Sequence, residues 1–506
     1  MGTLRRFASG QALILISLSL VVVISFGALA IDVGFLCFTK ERMQTAADAA
    51  AVAAAQSLND GGSYSTATTA ASNVAALDGF STTAGTGVTV TATEPATAPY
   101  NTTSYVQVTV AQPQPTYFLG VLGYSSVNVS ASAIGGVENA SGCIYALDPS
   151  KSGAIGVSGN VTVTSACGIV DDSSSTDALT ATGNITITAS MTGIVGSNPG
   201  YSTSGNITIT PTPKTNIAPS GDPLSWVKAP TVGSYSLASV TNSGSYSVSG
   251  NNQVVTVPPG VYSSGISITG NNAQVTFSGG TYGNEITIGG NTESATFNPG
   301  QYQATGSNPS IVIEGNATTT FNSGGSYTFY GQVEIEGNNT VTMQPGLYLG
   351  GISITGNANV TFEPGTYILA GGGMSVTGNS TLTGSGVTFY NTSGVVAYAP
   401  IKLTGNETAT LSAPTSGALE GMLFFQDRSI AYSSSNGSDI EGNSSSTFDG
   451  AVYFPTTALS YLGNSTSSGY TFLVADTITF VGNSDIGNNY DPLTNGSPIQ
   501  SATIYE

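Results

Sequence analysis

A glycine–asparagine dipeptide recurs along most of this 506-residue chain and restricts its fold more than any other feature. It occurs fourteen times in register between residues 159 and 483, and successive copies lie 19 to 27 residues apart except for two gaps of 45 and 37. Periods of roughly 20–25 residues are typical of solenoids, in which each repeat forms one coil. The longer gaps then correspond to double coils or to loops inserted between coils.

Short alternating segments flank the dipeptides. Ile266–Thr269 and Ile311–Glu314 precede a copy, and Gln274–Phe277 follows one. Alternation with a period of two predicts strands that bury one face, and Gly and Asn tolerate the left-handed backbone that tight corners need. The sequence therefore predicts a right-handed parallel β-helix over residues 142–506, with a loop insertion at about 211–232 and irregular coils toward the C-terminus.

Stacked coils would align equivalent residues into columns at the ~4.8 Å spacing of paired strands. Three interior columns are predicted: Ile266, Ile286, Ile311, Val333 and Ile352; Ile268, Ile288, Ile313, Ile335 and Ile354; and Phe277, Phe297, Phe321, Met343 and Phe362. An up-and-down β-barrel or a β-propeller is the alternative fold, but propeller repeats run to ~40–50 residues, about twice the observed period.

Tyrosines follow the strands of six repeats, and two functions are open to them. They are Tyr262, Tyr282, Tyr302, Tyr327, Tyr348 and Tyr367. We expect these side chains to brace the coil corners. The alternative is that they offer stacking platforms for surface glycans.

Two other segments depart from the repeat. Pro211–Pro230 contains five prolines and the single tryptophan, Trp226, and we expect it to cross and brace the coil stack; a contact surface is the alternative. The residues from Asp485 to Glu506 are expected to cap the C-terminal end of the solenoid.

The N-terminal segment has the composition of a membrane anchor. Gln11–Ile31 holds 21 residues without a charge, which is enough for a helix to cross a ~30 Å hydrocarbon core. Arg5 and Arg6 precede it, so the N-terminus is expected to remain cytoplasmic. A cleaved signal peptide is the alternative, but its apolar region would be only ~7–15 residues long. We expect a single-pass protein with the bulk of the chain periplasmic or extracellular.

The helix is expected to continue beyond the membrane. Glu41–Leu58 lacks Gly and Pro and is rich in Ala, the strongest helix former, so residues 11–58 are predicted to form one helix. Asp32 lies near the end of the apolar run, and we expect its carboxylate to stay hydrated at the outer interface. The alternative is that the Asp32 carboxylate is buried and paired with Lys40 or Arg42 of a neighbouring chain.

Three strings resemble those of a known family. The sequence G-Q-A-L from Gly10, I-D-V-G at Ile31–Gly34 and R-M-Q-T-A-A-D-A-A-A-V-A-A-A at Arg42–Ala55 are similar to the N-terminal region of TadG-like Flp (tight-adherence) pilus-assembly proteins. The resemblance implies a bacterial inner-membrane protein whose partners include Tad/Flp pilus-assembly components. It places the stub, anchor and Ala-rich helix in residues 1–58 and a small α+β pilin-like region in residues 59–141.

The composition argues against catalysis. The chain has no histidine, the commonest general base, and only 7% of its residues are charged. Residues 59–506 hold 5 basic and 25 acidic groups, which excludes nucleic acid as a main partner. The N-T-D, H-G and R-I-K signatures of polygalacturonases, which share a β-helix, are absent. We therefore expect no enzyme, cofactor or metal site; a carbohydrate-active enzyme is the less favoured alternative.

Two groups of residues are the remaining candidates for site chemistry. Cys143 and Cys167 are 24 residues apart, one repeat length, which puts them on adjacent coils. They are then close enough for a disulfide that would close the first coil, at the end of the solenoid where a neighbouring coil is lacking; two buried free thiols are the alternative. Glu314, Glu334 and Glu336 are predicted at outward strand positions of adjacent coils. We expect these glutamates to form a solvated acidic patch; a glycosidase pair or a calcium site is the alternative.

Overall fold

The computed structural model describes most of the chain. Its compact units are Met1–Asn139 with Gln500–Glu506 (unit 1) and Ala140–Ile499 (unit 2). Arg5 and Arg6, and the Gly of two Gly-Asn copies at residues 442 and 463, lie outside the described residues. The residues described are 8–59, 62–102, 105–139, 142–237, 244–291, 294–304, 308–441, 443, 445–462 and 469–505.

Unit 1 is built on one long helix, α1 (Ala8–Asn59), which runs for 52 residues. The predicted continuation of the apolar segment into the Ala-rich segment is confirmed. The C-terminal half of α1 buries its alanines against a small sheet. Gly135 permits the close approach, because a Cβ there would meet the carbonyl oxygen of Ala51 at 2.3 Å. The helix therefore has one half packed in a core and one half, residues 14–31, with almost every side chain exposed.

A second helix and a meander complete the core of unit 1. Helix α2 follows α1, and its first turn is capped by the Ser63 hydroxyl, which accepts from the backbone N–H of Thr66. Three antiparallel strands then pair in chain order, with a short 3-10 helix between the last two. These elements are α2 (Tyr64–Leu77), β1 (Thr89–Thr93), β2 (Tyr105–Pro115), the 3-10 helix Leu119–Leu122 and β3 (Ser126–Asn139).

Unit 2 is a β-solenoid of about 14 turns, so the predicted solenoid is confirmed. All strand pairs of the stack are parallel. Its first coils contain β4 (Gly142–Ala146), β5 (Ile155–Ser165), β6 (Gly168–Asp171), β7 (Asp177–Thr188), β8 (Thr192–Ile194), β9 (Gly200–Thr210) and β10 (Lys214–Thr215).

The remaining coils follow with mostly three short strands each. They contain β11 (Tyr246–Val248), β12 (Val254–Val257), β13 (Gly260–Val261), β14 (Ile266–Ile268), β15 (Gln274–Phe277), β16 (Gly280–Gly283), β17 (Ile286–Ile288), β18 (Ser294–Phe297), β19 (Gly300–Tyr302), β20 (Ile311–Ile313), β21 (Thr318–Phe321), β22 (Tyr327–Phe329), β23 (Val333–Gly337), β24 (Thr340–Met343), β25 (Gly346–Tyr348), β26 (Ile352–Gly356), β27 (Asn359–Phe362), β28 (Gly365–Ala370), β29 (Met374–Val376), β30 (Thr381–Ser385), β31 (Val387–Thr392), β32 (Ile401–Leu403), β33 (Thr408–Ser412), β34 (Met422–Gln426), β35 (Ser438–Glu441), β36 (Thr447–Leu462), β37 (Thr471–Phe480) and β38 (Ser484–Ile486).

The strand registers reproduce the predicted columns. Ile266 pairs with Ile286, Ile286 with Ile311, and the column continues through Val333 to Ile352. The second isoleucine column has the same registers. In the aromatic column, Phe277 and Phe297 are in register and their rings stack at a centroid distance of 4.3 Å. All fifteen predicted column residues are buried.

The order of coils in the stack differs from their order in the chain. Strand β37 pairs with β4 and β5, and β38 pairs with β5, so the last coil lies directly on the first. We call this contact the seam. The chain enters the stack at the seam and builds toward one end as far as β10. It then starts again at the other end with β11 and builds back to the seam.

Two expectations are thereby corrected. The first coil, which contains Cys143, was expected at an open end, but it has neighbours on both sides, β37 and β6. The residues after Asp485 were expected to cap the solenoid, but the last strand, β39 (Gln500–Tyr505), pairs antiparallel with β3 in the small sheet of unit 1. Both differences follow from the return of the chain to its starting point in the stack.

Candidate functional site

The six tyrosines of the repeat are internal braces. Each hydroxyl donates to a carbonyl four or five residues earlier: Tyr282 to Ser278 at 2.8 Å, and Tyr302 to Asn298 at 2.5 Å. All six side chains are buried, and burial raises the pKa of the Tyr302 hydroxyl. Their expected role at the coil corners is therefore supported, whereas these rings have no face available for stacking on a sugar.

The Gly-Asn dipeptides form an outer ladder that the sequence analysis did not anticipate. The amide of Asn184 donates to the side-chain oxygen of Asn160 at 2.8 Å, and Asn206 donates to Asn184 at 2.8 Å. The same bond links successive coils from Asn271 to Asn406. At eight of the ten ladder positions the preceding glycine takes the left-handed backbone, as at Gly183 with φ 122°; Gly270 and Gly405 do not. Within the dipeptide, Gly therefore allows the turn and Asn forms the hydrogen-bonded ladder.

The three candidate glutamates lie on adjacent coils. Glu334 pairs with Val312, Glu336 lies two residues further along β23, and Glu314 directly follows β20. Partial burial, with the nearby charges of Glu336 and Glu285, raises the pKa of Glu334. Among the residues that the structure describes, no three Asp, Glu, Cys or His side chains are arranged to hold a metal ion. The interpretation of these glutamates as a solvated acidic patch stays a prediction.

Two buried carboxylates lie near the seam. Asp171 is fully buried, and burial raises its pKa to about 7. Its Oδ1 accepts from the backbone N–H of Ser173 at 3.0 Å, while its Oδ2 has no hydrogen-bond partner among the described residues. Asp476 follows the strand segment that pairs with β4, and burial, with the charge of Asp148, raises its pKa to about 6. Burial thus raises the pKa of both carboxyl groups well above the usual range.

Cys143 and Cys167 are close together across adjacent coils, with Cα atoms 5.6 Å apart and their sulfur atoms within bonding distance. The position fits the spacing that a disulfide requires. Pairing of the two cysteines in the protein stays a prediction. Cys37, in contrast, lies exposed on α1.

The segment after β10 runs along the solenoid as a strap, which we define as residues 216–237. Ser220 and Gly221 donate backbone N–H groups to Asp172 at 2.9 and 2.8 Å, and Arg428 donates to the carbonyls of Leu224 and Val227 at 2.6 and 2.9 Å. Further along, Tyr330 donates to the carbonyl of Ser236 at 2.7 Å. These bonds join coils on both sides of the seam, as expected for a brace.

The clearest functional surface lies in unit 1, where the loop between β2 and β3 rests against the apolar half of α1. Asp32 is buried there with 1% of its surface exposed. Its Oδ1 accepts from the N–H of Tyr117 at 2.9 Å, and its Oδ2 accepts from Phe118 and Leu119 at 2.8 and 2.7 Å. The expectation of a hydrated carboxylate is therefore wrong: the charge is buried, as in the alternative, and its partners within the chain are these three backbone N–H groups. The partner is backbone from 85 residues further along the chain.

An apolar groove of 430 Å³ lies between this loop and the helix. Val22, Phe26 and Leu29 line one side, and Phe118 and Val121 line the other. The adjoining helix has a mean hydropathy of 2.7 over its most apolar 18 residues, none of which is buried. By length and composition it is able to span a membrane.

These features define a mainly β protein that carries a long apolar N-terminal helix, a small helix-and-sheet unit and a β-solenoid. Residues 10–57 match the family model of TadE/G-like Flp pilus-assembly proteins, and residues 40–134 match that of Tad-like Flp pilus-assembly proteins. The N-terminal region therefore carries Tad-type pilus-assembly domains, which confirms the resemblance. No curated protein and no solved structure matches the chain.

Proposed function

We propose that this protein is a non-enzymatic structural component of the bacterial inner membrane that acts with the Flp/Tad pilus machinery in pilus assembly or adhesion. The observation that carries the proposal is the pair of pilus-assembly matches over residues 10–134, which covers the apolar half of α1, strands β1 and β2 and most of β3. Its partners are Tad/Flp assembly components and the membrane itself.

Anchoring is supported by where the apolar surface lies. Leu15, Val23 and Phe26 are each about two-thirds exposed, as are most large side chains between residues 14 and 31. Burying one such side chain is worth about 1.5–3 kcal/mol relative to leaving it in water. Twelve large apolar side chains lie exposed between residues 14 and 31, an arrangement that is unfavourable in water and favourable in a bilayer, so the helix serves as a single-pass anchor.

Orientation follows from charge. Arg5 and Arg6 precede the apolar run, and positive residues favour the cytoplasmic side. The bulk of the chain then lies in the periplasm or beyond it, a compartment that permits a disulfide between Cys143 and Cys167. Reporter fusions after Ser57 and at the C-terminus test this arrangement, and cytoplasmic activity of both reporters would contradict it.

A scaffold role for the solenoid is supported by its interior and its surface. The interior is filled by aliphatic and aromatic columns, and the exposed asparagine ladder joins successive coils. Asp171 and Glu407 are buried, and each has at least one carboxylate oxygen without a hydrogen-bond partner among the described residues. This arrangement suits a stiff structural element better than a catalytic cleft.

The decisive experiment removes unit 2 and leaves unit 1 intact. Asn139 and Gln500 are paired antiparallel neighbours in the small sheet, so a two-residue Asn-Gly turn would join β3 to β39 as a hairpin. Cells expressing this deletion are scored for pili by microscopy and for attachment to surfaces. The matched control is the full-length chain expressed at the same level.

We expect the deletion to reduce the number of pili, with or without a loss of attachment. Normal piliation together with normal attachment would reject the structural role. Loss of attachment with intact pili would favour a glycan-binding adhesin that acts independently of pili. Cleavage of a polysaccharide by the purified protein would replace the proposal with a carbohydrate-active enzyme.

A further inference from the structure

We propose that the loop between β2 and β3, residues 116–125, is a second membrane-inserting element, held beside the anchor helix by Asp32 and immersed in the lipid leaflet nearest the small sheet. This inference rests on the proposed membrane anchor. The loop would contact the acyl-chain region of the bilayer, which it enters from the side of unit 1.

The loop presents apolar side chains that the rest of unit 1 does not cover. Val121 is 86% exposed, Phe118 44%, and Tyr117 and Tyr124 about two-thirds. The sequence from Pro95 to Val137 contains no Asp, Glu, Lys or Arg. Tyrosines that flank deeper aliphatic and phenylalanine side chains are the arrangement found where a protein crosses a membrane–water interface.

The loop lies at the level of the apolar helix and not above it. Its groove is lined by residues from Val22 to Leu29 of α1, which precede Asp32 by three to ten positions. At a rise of ~1.5 Å per residue, these positions lie about 5–15 Å further along the span than Asp32. If the apolar half of α1 is in lipid, Phe118 and Val121 are therefore in lipid with it.

The loop backbone meets the condition that lipid imposes, namely that polar groups find partners within the protein. Asp32 accepts the first three N–H groups of the loop tip. The N–H groups of Val121, Gly123 and Tyr124 donate to carbonyls inside the loop at 3.1 Å each. Thr116 donates its N–H to the carbonyl of Ser125 and its hydroxyl to the carbonyl of Tyr124, across the loop. This internal pairing lowers the cost of placing the loop tip in lipid.

Asp32 positions the loop and is not itself a membrane contact. Its carboxylate is enclosed by the three backbone donors, and the ring of Tyr117 packs edge-on against Phe35 with centroids 6.1 Å apart. A buried carboxylate is costly unless hydrogen bonds satisfy it. The geometry therefore couples loop and helix, so that one charge near the end of the span fixes a second apolar element beside it.

Spin labels at three matched positions test the proposal. Single cysteines are placed at Val121, Phe26 and Leu77 in the full chain with Cys37→Ser, and each variant is reconstituted in phosphatidylcholine vesicles. Leu77 is the control, because its exposure of 86% equals that of Val121 while it lies at the end of α2. The parent chain without an added cysteine sets the background. Collision rates with oxygen, which partitions into lipid, are compared with those of a water-soluble nickel chelate.

We expect the labels at Val121 and Phe26 to favour oxygen several-fold and the label at Leu77 to favour the nickel chelate. A label at Val121 that behaves like Leu77 while Phe26 stays in lipid overturns the insertion of the loop and leaves the anchor intact. A label at Phe26 that favours the nickel chelate overturns the membrane anchor itself. A label at Val121 protected from both reagents indicates protein contact and also overturns the proposal.

A second variant separates the role of Asp32. Asp32→Ala in the Val121→Cys chain removes the acceptor of three N–H groups, and we expect nickel-chelate collisions at position 121 to rise several-fold. The label at Phe26 should not change, because α1 remains helical and apolar. Unchanged collisions at position 121 would show that Asp32 does not position the loop.

Discussion

The buried carboxylate of Asp171 makes the stability of the solenoid depend on pH. Burial raises its pKa from an ordinary 3.8 to about 7. Between these values the unfolded chain has lost its proton while the folded chain keeps it, so stability falls as pH rises through this window. The contribution is fully present below about pH 4 and is lost above about pH 7. A shift of about three units corresponds to roughly 4 kcal/mol.

Asp171→Asn isolates this contribution. The side-chain oxygen of Asn can still accept from the Ser173 N–H, and the group no longer ionises. Relative to the native chain, we expect the variant to gain up to about 4 kcal/mol between pH 4 and pH 8, most of it between pH 5 and pH 7. Asp476, whose pKa is also raised by burial, titrates in both proteins and cancels in the comparison.

The fluorescence of Trp226, the only tryptophan, provides the assay. It lies in the strap, where its indole N–H donates to the carbonyl of Pro498 at 3.1 Å, so its emission reports on the solenoid. Urea unfolding is followed in detergent at pH 4.5, 6 and 8. Asp485→Asn, at an exposed position of β38, is the matched control. A difference between Asp171→Asn and the native chain that stays constant with pH would refute the reasoning.

The other predictions concern the disulfide, the tyrosines at the coil corners and the strap. We expect Cys143 and Cys167 to be joined in non-reducing peptide maps of envelope-derived protein, and Cys143→Ser to cost about 2–4 kcal/mol; alkylation of both thiols would contradict the pairing. Tyr302→Phe should cost about 1–2 kcal/mol in urea unfolding, because it removes the donor to the half-buried carbonyl of Asn298, whereas Tyr432→Phe at an exposed position should be neutral. Arg428→Met should cost about 3 kcal/mol through two lost charge-assisted bonds to the strap; an unchanged tryptophan transition would show that the strap needs no such anchor.

Much of this architecture is local and could therefore be predicted. The alternation around Ile266, Ile311 and Ile352 is enough to define the inward face of each strand, because a strand that slipped by one residue would expose every isoleucine. Units with the same inward face then stack in register, because only that register keeps their isoleucines buried. The helix of residues 8–59 is equally local, since it depends on helix propensity and on an uninterrupted apolar run.

Some features of the candidate sites also followed from the repeat. The spacing of Cys143 and Cys167 placed them on adjacent coils because equivalent positions of a solenoid are one strand spacing apart. The same argument put Glu314 and Glu336 side by side. The asparagine ladder was not predicted, although the sequence contains the pattern for it. An amide at every corner, stacked at the strand spacing, is able to hydrogen-bond to the amide of the next coil.

Tertiary structure alone decided which coil meets which. Coils of one repeat are interchangeable in pattern, so nothing in the period of β37 indicates that it pairs with β4 across the seam, more than 300 residues away. Asp32 likewise lay in an uncharged apolar context whose local pattern gives no partner, because its three donors are backbone N–H groups and carry no sequence signature. Hydrophobic periodicity specifies faces and lengths, whereas contacts between distant segments depend on where the packed chain brings their backbones together.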